Sequence, residues 1–219
     1  MSTPAATPFP RAPWSLRGSA MISVWRVPLD ALPVAAANGA RLVSLGRQAL
    51  CATVWARYEP GGTLAYNELL FAVAVQSSGI VAPACTVGPI WVDDEAAAAG
   101  GRTLWGIPKR MGVFQAGSSD GPSPGFADGA MASITVDGRR VATLQYEPPS
   151  RLQVPVRLPI WTVQDGDSGP IRTRCMLRGR MSRGAGRWFF EPDGPLSFLA
   201  GREPLASARL ESLSARFGV

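Results

Sequence analysis

One side chain here can do chemistry that no other can. Lys109 is the only lysine in 219 residues; the other cationic side chains are all arginine, and there is no histidine. An arginine guanidinium keeps its proton under biological conditions, whereas a lysine amine can lose one and become a nucleophile. An unperturbed lysine titrates near 10.4, so attack on a carbonyl at neutral pH needs surroundings that disfavour the ammonium. Burial among apolar groups does this, and so does a second cation close by. Leu104, Trp105, Ile107, Met111 and Val113 can supply the first and Arg110 the second, while Pro108 fixes the backbone before the amine. The competing expectation is a surface lysine, exposed or paired with Asp93, Asp94 or Glu95.

The rest of the composition narrows the chemistry by exclusion. Without histidine there is no imidazole metal site and no histidine-based triad. Cys51, Cys85 and Cys175 are odd in number and far apart, which indicates neither a disulfide framework nor a zinc site, and no cofactor or metal is expected. The formal charge of +6 is spread along the chain with no run of like charge; its densest part, Arg172 to Arg187, fits a solvated sheet face or a subunit contact as well as a phosphate-binding stripe, and nucleic acid is not an expected partner. The longest apolar run, Leu69 to Val75, is too short to span a bilayer, and the proline-rich start lacks a signal-like apolar region. The expectation is a cytoplasmic protein with no membrane partner.

The elements that must position Lys109 are mostly strands. Residues 1–14 read as an extended arm and 15–219 as a single domain. Strands are predicted at Met21–Val27, Gln48–Glu59, Ala65–Gln76 and Ile80–Val92, with a short helix opening at Pro28 and ending by Asn38-Gly39. Asp93-Asp94-Glu95 should open one or two helical turns stopped at Gly100-Gly101. A loop over Gly117–Gly129 should precede a hairpin of Ala130–Val136 and Arg140–Tyr146 turning at Asp137-Gly138, closed by Pro148-Pro149. Further strands are expected at Gln153–Val163, Ile171–Met181 and Arg187–Glu191, and within Ala206–Phe217. The fold class is α+β, predominantly antiparallel β.

Four stretches in order carry a resemblance: "RAPWSLRG", "RVPLDALP", "AYNELLFAVAV" and "GGRTLWGIPKRMGVF". Together they resemble the acetoacetate decarboxylase family, over roughly residues 10 to 147. The last resembles its signature, whose Pro-Lys pair provides a Schiff-base lysine. Desolvation or a cationic neighbour is the established explanation for how that family's founding enzyme activates its lysine. The resemblance implies a β-barrel or cone with short peripheral helices, assembled as a homo-oligomer. It makes Lys109 the nucleophile and Glu68 the acid that handles protons. Arg110 stands where the founding enzyme has a second lysine, as the group that perturbs Lys109. Arg17, with Arg26 as second choice, would bind the substrate carboxylate, and Trp105 would line the substrate site. Glu59 has a local claim similar to that of Glu68, but Pro60-Gly61-Gly62 places it at a turn. A second glutamate of the family falls, by ungapped counting, on Thr53.

Three functions follow from the resemblance. The first is a carbon–carbon lyase that decarboxylates a small β-keto acid through a lysine imine and an enamine. The second is an aldolase or dehydratase using the same imine on pyruvate-like keto acids. The third is a non-catalytic small-molecule-binding or scaffold protein of the same fold.

Overall fold

Alternating side chains give each strand two faces, and here most long strands bury both. The computed structural model describes residues 7–117, 131–147, 152–184 and 186–219. Its strands are β1 (Trp14–Pro28), β2 (Ala40–Leu42), β3 (Ser44–Leu45), β4 (Gln48–Tyr58), β5 (Asn67–Ser77) and β6 (Ala84–Val92). Helix α1 (Glu95–Trp105) follows, then β7 (Arg110–Met111), β8 (Val113–Gly117), β9 (Met131–Val136) and β10 (Arg139–Tyr146). The chain finishes with β11 (Gln153–Gln164), β12 (Ile171–Arg183), β13 (Gly186–Phe190) and β14 (Ala206–Phe217).

Hydrogen bonding runs β5-β4-β1-β14-β12-β11-β6 and returns from β6 to β5, closing a barrel. Its junctions are antiparallel except β6–β11, a short parallel contact at Trp161↔Ala84 and Thr162↔Cys85. The expected antiparallel β-barrel with small peripheral helical pieces is what the chain forms. A second sheet, β13-β10-β9-β8, covers the outside of β1, β4 and β5. One core therefore lies between barrel and second sheet, around Trp25, Trp55, Phe71, Ile134 and Leu144, and another lies inside the barrel.

Several local expectations need correction. The helix opening at Pro28 is only a single 3-10 turn, Leu29–Ala31; Leu32 is extended because Pro33 follows it and disfavours the helical region. Helix α1 does not stop at Gly100-Gly101. Asp94 caps it by accepting from the Ala97 N–H at 2.7 Å, and it runs on to Gly106, which takes the left-handed conformation. The two glycines serve packing instead. A Cβ on Gly100 would run into the Trp14 ring, and one on Gly101 would lie 2.6 Å from Lys109 Cδ. The hairpin turn is as expected, with Asp137 and Gly138 both at positive φ between β9 and β10. The loop expected over Gly117–Gly129 lies, beyond its first residue, outside the described residues, as do Ala130 and Pro148-Pro149. Among the described residues no helix is long and apolar enough to cross a membrane.

Candidate active site

Lys109 enters the barrel from one end because of how α1 finishes. Gly106 ends the helix, Ile107 is buried, and the Arg102 guanidinium, one turn back, donates to the Lys109 carbonyl at 2.6 Å. The Lys109 side chain then lies against Gly101, whose missing Cβ leaves the space it occupies. Its Nζ is 2.7 Å from Glu68 Oε2, and the two side chains are 5% and 6% exposed. The amine also donates to Tyr66 Oη at 3.1 Å and lies 4.7 Å from the centre of that ring. Tyr58 Oη donates to the other oxygen, Glu68 Oε1, at 3.5 Å.

Glu68 reaches this position by strand parity. It pairs with Ala56 on one side and Val92 on the other, and it faces inward with Leu70 and Ala72. Although it stands near the start of its strand, Glu68 is buried. Of the alternative partners of Lys109, Glu95 is exposed and the other two are engaged elsewhere. Asp93 accepts from the Asn67 backbone and side-chain amides, both at 2.7 Å, and Asp94 caps α1.

The pair stands at the edge of a cavity of about 310 Å³ inside the barrel. Its walls are apolar, and at its closed end Trp14 and Trp105 meet edge to face with centroids 4.7 Å apart. The polar exceptions among the described lining residues are Lys109, Glu68, Tyr58, Tyr66, Thr162 and the thiols of Cys51, Cys85 and Cys175. Burial, followed by the charge of Glu68, pushes Tyr58 and Tyr66 well above the usual tyrosine range, so both remain hydrogen-bond donors. Burial likewise raises the thiols of Cys85 and Cys175 to about 12, which makes them small apolar wall groups and not nucleophiles. Thr162 Oγ1 is buried on the wall with no hydrogen-bond partner. No group of acidic or sulfur side chains among the described residues is arranged to hold a metal ion.

The structure brings together Lys109, Glu68 and Trp105 and separates the rest. Arg110 is exposed and lies in a surface groove with Asp137, Arg140 and Glu191, because neighbouring residues on an extended segment point opposite ways. Its charge follows Lys109 in sequence but is not in the cavity. Arg17 is exposed in a groove beside Glu59 and Glu211. Arg26 has the parity of the inward Ile22 and Val24 but sits one step further out, opposite Leu50, exposed beyond the cavity wall. No N-terminal arginine lines the cavity. Thr53 is also misplaced by ungapped counting: it faces the outer core, where its hydroxyl accepts from Trp25 Nε1 at 3.0 Å. The inward positions beside it are Ala52 and Val54, so Glu68 is the only carboxylate among the described lining residues. Sequence reasoning missed Tyr58, Arg102, Gly101 and Thr162. Tyr66 had a signal in its two-residue spacing from Glu68, which puts both on one side of an extended segment.

Comparison with known proteins agrees with this fold. A family profile described as acetoacetate decarboxylase matches residues 2–180. No curated protein matches the sequence. Among solved structures, acetoacetate decarboxylase from Legionella pneumophila subsp. pneumophila str. Philadelphia 1 is 16% identical with a TM-score of 0.69, over 99% of this chain and 90% of that one. An acetoacetate decarboxylase-like enzyme from Sphingomonas wittichii RW1 is 17% identical with a TM-score of 0.67, over 99% and 97%. The enduracididine biosynthesis enzyme MppR, complexed with pyruvate, is 20% identical with a TM-score of 0.63, over 98% and 89%. At these identities the likeness establishes a common fold.

Proposed function

We propose for this chain, which belongs to the acetoacetate decarboxylase family, that Lys109 forms an imine with a β-keto acid and that the acid is decarboxylated through it. The observation that carries the reading is the buried contact of 2.7 Å between Lys109 Nζ and Glu68 Oε2 at the edge of an apolar cavity. A proton can pass between two such groups without moving either, leaving both neutral in surroundings that penalise charge. The cation expected at Arg110 is not part of this reading; Glu68, in contact with the amine, serves as the base that takes its proton.

The steps follow from those positions. Lys109 gives a proton to Glu68 and attacks the ketone carbon. Glu68 returns the proton to the departing oxygen, water leaves, and a protonated imine remains. The bond to the carboxylate breaks, its electron pair moves to the imine nitrogen, and carbon dioxide and an enamine result. Glu68, reprotonated from water, delivers a proton to the enamine carbon. Hydrolysis releases the ketone and restores Lys109, so one proton is consumed overall. Tyr66 and Tyr58 hold the amine and the carboxylate in register as donors and acceptors.

The cavity favours decarboxylation over aldol chemistry. A pyruvate-like substrate keeps its carboxylate throughout, and no cation other than Lys109 is among the described residues lining the wall. In decarboxylation that charge is discharged as carbon dioxide. The test is borohydride reduction in the presence of 3-oxobutanoate, then peptide mass mapping. Reduced adduct on Lys109 is expected, and the Lys109→Arg variant should neither be trapped nor turn over substrate. Turnover by Lys109→Arg would sink the imine.

A further inference from the structure

The barrel cavity is much longer than the reaction needs, and its length is apolar. Inward-facing rungs run outward from the catalytic pair: Ala20, Ala56 and Glu68 first, then Ile22, Val54 and Leu70, then Val24, Ala52 and Ala72. Beyond them Leu50 and Ala74 also line the cavity, joined through the backbone of Val43. Glu68 and Ala74 are six steps apart on β5, about 20 Å at a rise of about 3.3 Å per residue. Lys109 is buried at the inner end, whereas Leu50 is 39% exposed and Pro83 is exposed at the outer one. A substrate therefore enters past the outer rim and presents its carbonyl at the floor.

Protein interiors rarely leave voids larger than a water molecule, and a barrel of this size is readily filled by its own side chains. Here alanine stands at inward positions 20, 52, 56, 72 and 74. The resulting 310 Å³ reaches the range of about 300–1,000 Å³ that holds drug-sized ligands. Beyond the first rung the three strands contribute aliphatic side chains and the Cys51 thiol to it. We infer that the substrate is a β-keto acid bearing a straight apolar chain of medium length, with its reacting end at Lys109 and its chain lying along the alanine-lined wall toward Leu50. This rests on the imine reading above and deepens it.

The chain length can be read directly. With the full-length protein, carbon dioxide release is measured for 3-oxobutanoate, 3-oxohexanoate, 3-oxooctanoate, 3-oxodecanoate and 3-oxododecanoate, with the spontaneous rate subtracted. Each buried methylene adds roughly threefold to fourfold, so the added methylenes should raise kcat/KM on the order of 1,000-fold from the shortest acid to 3-oxodecanoate. Ala52→Phe, which narrows the third rung, should lower the ratio of long-chain to short-chain kcat/KM at least tenfold, and Ala74→Phe should do so nearer the rim. A flat or falling series, with Lys109 still trapped by borohydride on 3-oxobutanoate, overturns the chain inference and leaves the imine standing. An unchanged ratio in whichever variant folds, judged by circular dichroism, also overturns it. Failure to trap Lys109 with any member overturns the imine and the chain inference together.

Discussion

β1, β4 and β5 bury large side chains on one face and small ones on the other. Outward, Trp25, Trp55 and Phe71 meet Phe114, Trp188, Phe190 and Phe198 from the second sheet and the C-terminal segments, with ring centroids between 4.9 and 6.4 Å. The indole N–H groups of Trp25 and Trp188 donate to Thr53 and Ser23, so these two rings satisfy their polar atoms as well as filling space. Inward, one residue along on the same strands, Ala20, Ala52, Ala56 and Ala72 stand among Ile22, Val24, Val54 and Leu70, and the interior stays partly empty around a buried ion pair. A sheet can thus put its stability on one face and keep the other for a ligand, because alternation lets the two faces vary independently.

Breaking each face should have a different signature. Glu68→Gln leaves the Lys109 ammonium buried beside a neutral amide, so it should cost about 3–5 kcal/mol in denaturant unfolding and also remove imine trapping. Trp25→Ala opens a cavity in the outer core and strands the Thr53 hydroxyl, at a similar cost of about 3–5 kcal/mol. Trapping per folded molecule should survive in Trp25→Ala. If it were lost there as completely as in Glu68→Gln, the two faces would not be independent.

Gly101→Ala tests how finely the inner face is built. The new methyl meets the flexible Lys109 stem, which can shift, so stability should change by less than about 1 kcal/mol. The displaced amine should lower kcat by about tenfold, equivalent to about 1.4 kcal/mol. Equal activity of Gly101→Ala and the parent protein would show that the lysine need not lie where it does.

The smallest effect at neutral pH, and the one that spans both faces, is alkaline titration. Tyr58, Tyr66 and Tyr146 are all the tyrosines in the chain, and burial raises each well above its ordinary value of 10.0. A group whose proton is held more tightly in the folded state keeps its full contribution below the unfolded value and loses it as pH rises toward the folded one. Stability should therefore be unaffected by these groups near neutrality and fall above about pH 10. Tyrosinate absorbance should grow together with loss of circular dichroism; tyrosinate appearing in a folded chain would contradict the burial of all three.

Much of this was legible in the sequence, for reasons that differ by residue. Lys109 stood out because one amine among so many guanidinium groups can lose a proton, and Glu68 stood out through the resemblance around Tyr66-x-Glu68. The hairpin at Asp137-Gly138 and the long strands were legible because turn chemistry and period-two patterning act locally. Gly100-Gly101 misled because a glycine pair reads as a helix stop, whereas here it answers Trp14, eighty-odd positions away, and Lys109 across the turn. Arg110 misled because adjacency in an extended chain separates side chains instead of joining them.

By itself, then, the sequence determined which group can form an imine, which chemistries are out of reach without histidine, and that the fold is built of antiparallel strands. Only the tertiary structure decided that the amine meets Glu68 inside a barrel, that Arg17, Arg26, Arg110 and Thr53 stand outside the cavity, and that alanines on separate strands line one cavity. Residue type and local pattern are properties of short segments. Parity, register and barrel closure bring distant segments face to face, and no short segment encodes them alone.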